Sequence, residues 1–111
     1  MSRHFFSTLL HGEAVRICMG WDRPLQGFFM TAQYVPQDRR GAFLYCNLDE
    51  EIPHPATPEP FEQVLGELGI AVPPQMMAEV IADGMLDVGN KTVIWSCDNG
   101  IHVRKEGEYP L

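Results

Sequence analysis

Four prolines, Pro53, Pro55, Pro58 and Pro60, fall within eight residues near the middle of the 111-residue chain. Proline has no N–H to give to a ladder and its ring fixes φ, so no central strand runs through such a segment. Any sheet must therefore be assembled from the chain on either side of it.

The N-terminal side reads as strands and turns. Phe5-Phe6-Ser7-Thr8-Leu9-Leu10 is aromatic and branched, and His11-Gly12-Glu13 breaks it. Val15, Ile17 and Met19 then alternate with Ala14, Arg16 and Cys18, the period of a half-buried strand, and Gly12 in the short break predicts a hairpin. Gly20 to Gly27, with Pro24 at its centre, reads as a loop; Phe28 to Val35 resumes strand character, Pro36 to Gly41 is a turn, and Ala42 to Asn47 is a fourth strand. These segments predict a four-stranded antiparallel meander.

Beyond the prolines the period changes. Thr57 is placed to cap a helix with Pro58 in its first position, and Phe61, Val64, Leu65 and Leu68 recur at helical spacing before Gly69 stops it. Pro73-Pro74 opens a second helix, with Met76, Met77, Val80 and Ile81 as its apolar stripe and Gly84 as its end. Lys91 to Cys97 and Ile101 to Arg104 flank Asn99-Gly100, a strong hairpin signal, and the tail from Glu106 to Leu111 is expected to fray. The expected fold is one α+β domain over residues 1–111: an antiparallel sheet (meander plus C-terminal hairpin) with both helices packed on one face. The β-α-β alternation of a doubly wound nucleotide-binding fold is missing.

An apolar fraction of 45% with 21% charged residues suffices for a core. The longest apolar runs, such as Gly27 to Met30, are too short to span a bilayer, and the N-terminus has no leader-like stretch. Cys18, Cys46 and Cys97 are odd in number and widely spaced, with no C-x-x-C pair. They read as free, buried thiols in a reducing compartment, which predicts a cytoplasmic protein without a membrane segment.

Formal charge is −7, and it is unevenly spread. Residues 1–40 carry Arg3, Arg16, Arg23, Arg39 and Arg40, whereas residues 41–90 hold nine acids and no Lys or Arg. On the first helix Glu59, Gln63 and Glu67 share a face opposite the apolar stripe; on the second, Gln75, Glu79 and Asp83 stand four apart as a ridge with no local base to relieve them.

Each chemical motif competes with an ordinary reading. Cys46 and His54 are close enough in sequence to pair as nucleophile and base, but a strand thiol and a loop histidine explain them as well. Asn47, Asp49, Glu50 and Glu51 offer oxygens to a hard cation, yet Pro53 and His54 stand where a calcium loop needs its glycine turn and further ligands. Arg40-Gly41-Ala42-Phe43-Leu44-Tyr45 approaches an RNA-binding strand, with Ala42 in place of the first aromatic and Tyr45 one residue early. Trp21 and Arg23 in the glycine-flanked loop suit a recognition surface, or a Trp folded over the open core edge with Arg23 paired to an acid.

The sequence thus assigns no catalytic residue, metal or cofactor. It leads to a non-catalytic interaction module or inhibitor that binds a basic protein surface through its acidic helical half, with Glu59, Glu67, Glu79, Asp83, Trp21 and Arg23 as the contact residues. Direct nucleic-acid binding is not expected, and a homodimer through an exposed sheet edge remains open. The alternative is a small enzyme or ligand-binding domain with a site near Cys46, His54 and residues 49–51.

Overall fold

The computed structural model of the chain describes residues 1–35 and 43–107. Six strands, β1 (Ser2–Leu10), β2 (Glu13–Asp22), β3 (Gly27–Tyr34), β4 (Phe43–Cys46), β5 (Lys91–Asp98) and β6 (Ile101–Glu106), form one sheet in the order β4-β3-β2-β1-β5-β6. Two helices, α1 (Glu59–Leu68) and α2 (Pro74–Met85), lie between β4 and β5 in the chain. The turn expected at Pro36–Gly41, with Arg39 and Arg40, and the last residues of the expected tail lie outside the described residues.

The α+β architecture is as the periodicities predict, but the sheet is mixed rather than antiparallel. β1 to β4 form the antiparallel meander and β5–β6 the antiparallel hairpin, whereas β1 and β5 run parallel, with Phe5 beside Ile94 and Phe6 beside Trp95. The cause is topological. β2 occupies one side of β1, and the chain leaves the meander at its far edge. The segment containing both helices then carries it back across the sheet, a crossover long enough to set a parallel neighbour against β1's free side.

Alternation decides which side chains enter the core. Phe6 on β1, Val15, Ile17, Met19 and Trp21 on β2, Phe28, Met30 and Ala32 on β3, and Val93 and Trp95 on β5 point to the helices. Phe61 and Leu65 of α1, Met76 and Val80 of α2, and Ile70 between them close the same cluster. α2 rests on β1 and β2, while Phe61 meets Tyr45 of β4 edge to face.

Three local expectations change. β2 continues through Trp21 and Asp22, so the predicted loop shrinks to the tip at Arg23–Gln26. Thr57 is not the cap of α1; Pro58 takes that position and Pro60 sits at the second helical residue, where its missing N–H is no loss. Ile81 lies at the exposed rim of α2 and Asp83 takes its place on the buried stripe.

Candidate functional site

The most concentrated chemistry lies under α2. Ser2 and His4 alternate with Phe6 on the inward face of β1, and the turn spacing of α2 brings Asp83 onto them. His4 has 0% and Asp83 1% of its surface exposed. Trp95 Nε1–H donates to His4 Nδ1 at 3.0 Å. An indole only donates, so Nδ1 is the accepting nitrogen, the ring proton sits on Nε2, and Nε2–H donates to Asp83 Oδ2 at 2.6 Å. Lys91 Nζ donates to Asp83 Oδ1 and also stands 2.7 Å from Glu79 Oε2. Arg104 grips both oxygens of Glu79 at 2.6 Å and donates to Glu106 at 2.7 Å.

This network corrects the acidic ridge. Asp83 is buried and Glu79 is clamped between two cations, so neither belongs to a free acidic surface. The bases that relieve them, Lys91 and Arg104, come from β5 and β6, beyond the base-free stretch. Burial alone would raise the carboxyl of Asp83, but hydrogen bonds from His4, Lys91 and Ser2 hold it below its usual range. The hydrogen bonds of Arg104 overcome partial burial at Glu79 and, with Lys91, pull its carboxyl down to about 2.

Serine, histidine and aspartate together invite comparison with a nucleophilic triad, and the connectivity argues against one. Ser2 and His4 both bond to Asp83, Ser2 Oγ accepts the Trp21 N–H at 3.0 Å, and the second nitrogen of His4 faces an indole. Both ring nitrogens of His4 are engaged elsewhere, so among the described residues no histidine addresses the serine, and all three residues are buried away from substrate. The ligand atoms of His4, Glu79 and Asp83 also fall within 4.8 Å of one another, the compactness of a metal site. The Lys91 ammonium occupies that position, between Asp83 Oδ1 and Glu79 Oε2. The cluster therefore reads as an internal electrostatic clamp that fastens β1, β5, β6 and α2 together.

Both depressed carboxyls make this clamp acid-sensitive. A carboxylate whose folded pKa is lowered contributes stability that is present above its unfolded pKa and lost as pH falls through the folded one. For Glu79 that window runs from 4.5 down to about 2. Urea midpoints are expected to fall steeply across it, and Glu79→Gln should flatten the dependence; an unchanged profile in that variant would rule out Glu79 as the titrating group.

A second feature is open to solvent. A groove of about 540 Å³ runs between the start of α1 and the end of α2, lined by Trp21, Phe28, Ile81, Gly84 and Met85, with Ala56 to Pro58, Glu59 and Glu62 along the other wall. Gly84 permits the close approach of α2 that forms its floor, since a Cβ there would lie 2.4 Å from Phe28 Cζ. Met85 is 82% exposed at the rim, and Leu86 follows it into solvent.

Trp21 is buried, packs edge to face on Phe28 and donates its indole N–H to Asp87 at 2.9 Å. Arg23 is exposed and pairs with the same carboxylate at 3.3 Å, while Glu59 stands at the groove and Glu67 is exposed on α1 outside the lining. Hydrogen bonds from Trp21 and Gln26, with Arg23 nearby, hold Asp87 below its usual range. The sequence pointed to the helical half but missed this groove, whose lining is made by residues from four separated segments.

The alternative site has less to unite it. Cys46 lies opposite Thr31 on the sheet, in register with Cys18. His54 packs against the start of β3, where a Cβ on Gly27 would strike its carbonyl, and its Nδ1 is buried without a hydrogen-bond partner. Tyr45 donates its hydroxyl to Glu50, and burial together with that acid pushes the phenol up to about 12. Cys18, Cys46 and Cys97 are all free thiols, and burial pushes Cys18 up to about 11.

Comparison with family models, curated proteins and solved structures gives no match for the chain. Among the described residues no helix is long and apolar enough to cross a membrane.

Proposed function

We propose that the protein is a non-catalytic binding module that takes an apolar, basic-flanked segment of a protein partner into the groove between α1 and α2. The observation that carries this reading is the pairing of an apolar lining, Trp21, Phe28, Ile81 and Met85, with the carboxylates of Glu59 and Glu62 along one wall. Such a surface suits a large hydrophobic anchor inserted among these side chains, with Lys or Arg beside it meeting the acids. The exposed Glu67 and the loop acids Asp49, Glu50 and Glu51 extend the negative field toward an approaching partner. Inhibition of a nucleic-acid-binding protein, whose contact surface is basic, is one form such binding would take. The enzyme alternative draws less support, because Cys46 and His54 share no described hydrogen bond and the buried Ser2–His4–Asp83 set is sealed from solvent.

The test uses two labelled amphipathic helical peptides with the same leucine face, one bearing lysines and the other glutamates, followed by fluorescence anisotropy. The lysine peptide is expected to bind and the glutamate peptide to fail. Glu59→Lys/Glu62→Lys should weaken the lysine peptide about tenfold or more, equivalent to ~1.4 kcal/mol, with the circular dichroism spectrum unchanged. Equal binding of both peptides, or of neither, would overturn the reading.

A further inference from the structure

We propose that the outer edge of β6 pairs with β6 of a second copy of this chain, forming an antiparallel two-fold dimer centred on Val103. β6 ends the sheet, so among the described residues no strand lies along its outer side. Gly107 N–H donates inward to Thr92 O at 2.9 Å, and backbone direction alternates along a strand. Residues 101, 103 and 105 therefore bond toward β5, and the N–H and C=O groups of His102, Arg104 and Glu106 turn outward.

The two edges of the sheet differ in what they invite. β4 has four residues and its pairing with β3 is interrupted by a bulge at Ala32/Gln33, features that blunt an edge. β6 has six residues in unbroken register with β5, and all six are exposed, including Ile101 at 67% and Val103 at 45%. A regular edge with exposed β-branched side chains is a template for another strand.

The residues select the same strand as the occupant. With the axis at Val103, that residue meets its own counterpart and Ile101 stands opposite Lys105 of the second copy. Asp98 is the cross-strand neighbour of Ile101, so one row on the sheet face away from the helices reads Asp98, Ile101, then Lys105 of the second copy. At about 4.8 Å between strands, the lysine stem lies over Ile101 and its ammonium reaches toward the Asp98 carboxylate. The two-fold axis repeats the contact. On the other face, Arg104 comes opposite His102 of the second copy with its charge already balanced by Glu79 and Glu106. Shifting the axis to Arg104 would set two guanidinium groups against each other. Shifting it to His102 would draw Asn99 and Gly100 into the ladder, where their positive φ values of 52° and 79° do not fit.

Sedimentation velocity over a wide concentration range tests the proposal. The wild type is expected to approach the two-chain mass, and Val103→Lys or Val103→Glu alone to dimerise at least about a hundredfold more weakly, since like charges then meet on the axis. Mixing the two variants should restore a dimer of opposite charges. As an independent check, Cys97→Ser/Val103→Cys should form an interchain disulfide on mild oxidation. A wild type that keeps the single-chain mass throughout, a dimer that survives Val103→Lys, or absence of that cross-link would overturn the proposal. None of these results depends on the groove between the helices.

Discussion

Replacing Asp83 with alanine is expected to lower the free energy of unfolding by about 3–5 kcal/mol. The carboxylate accepts from His4 Nε2 at 2.6 Å and from Lys91 Nζ at 2.7 Å, and it also holds Ser2. Removing it leaves a buried imidazole N–H without its acceptor and a partly buried ammonium with one partner fewer. Stranding such groups costs more than forming the pair contributes, because their desolvation is no longer offset. A domain has only about 5–15 kcal/mol in all, so the variant should unfold at a much lower urea concentration. Glu67→Ala, exposed on α1 with no such role, should stay within about 0.5 kcal/mol of the wild type. Asp83→Ala with a wild-type urea midpoint would sink the clamp interpretation. Charge reversal at Glu79 and Asp83 would for the same reason unsettle the fold, so docking through the helical half is better probed at Glu59 and Glu62.

The distinction between these acids was partly legible in the sequence. Glu79 and Asp83 are four residues apart, which places them on adjacent turns but does not say which way they face. Asp83 is seven residues after Met76 and three after Val80, and both of those are buried. That spacing puts it on the core stripe; reading Ile81 as the stripe member, because it is apolar, turned the helix by more than half a face. Polarity misled where periodicity would have decided. The identity of the partners was not legible, since Lys91 and Arg104 reach these acids only because β5 returns beside β1. Strand existence followed from alternation and turn chemistry, which are local. The parallel pairing of β1 and β5 depends on how the helices carry the chain across the sheet, and no local pattern records that. The groove has the same character: Trp21, Phe28, Pro58 and Met85 are ordinary residues apart and form a lining only when the end of α2, at Gly84, lies close over Trp21 and Phe28.

Gly20 carries the other large expected effect. It reads in the sequence as the start of a loop, yet it lies inside β2, paired with Phe29, at a negative φ any residue can adopt. The constraint is space. A Cβ at this position would lie 2.0 Å from the carbonyl oxygen of Ser2 and 2.7 Å from its carbon, both backbone atoms of β1. Backbone cannot rotate away as a side-chain tip does, so Gly20→Ala must push the first residues of β1 off the sheet. Those residues hold the Trp21 N–H on Ser2 Oγ, the Met1 carbonyl on the Lys91 N–H, and His4 in its place beneath Asp83. The displacement is therefore expected to cost about 3 kcal/mol, the upper end for overpacking, and to strip exchange protection from the amides of Trp21 and Lys91 ahead of the rest of the sheet. Gly66→Ala is the contrasting case, because nothing lies within 4 Å of its added methyl and it sits inside α1. That variant should match or exceed the wild type by up to ~1 kcal/mol. Urea unfolding with amide exchange on both variants decides the matter: Gly20→Ala as stable as Gly66→Ala would mean that the start of β1 does not press on β2 in solution.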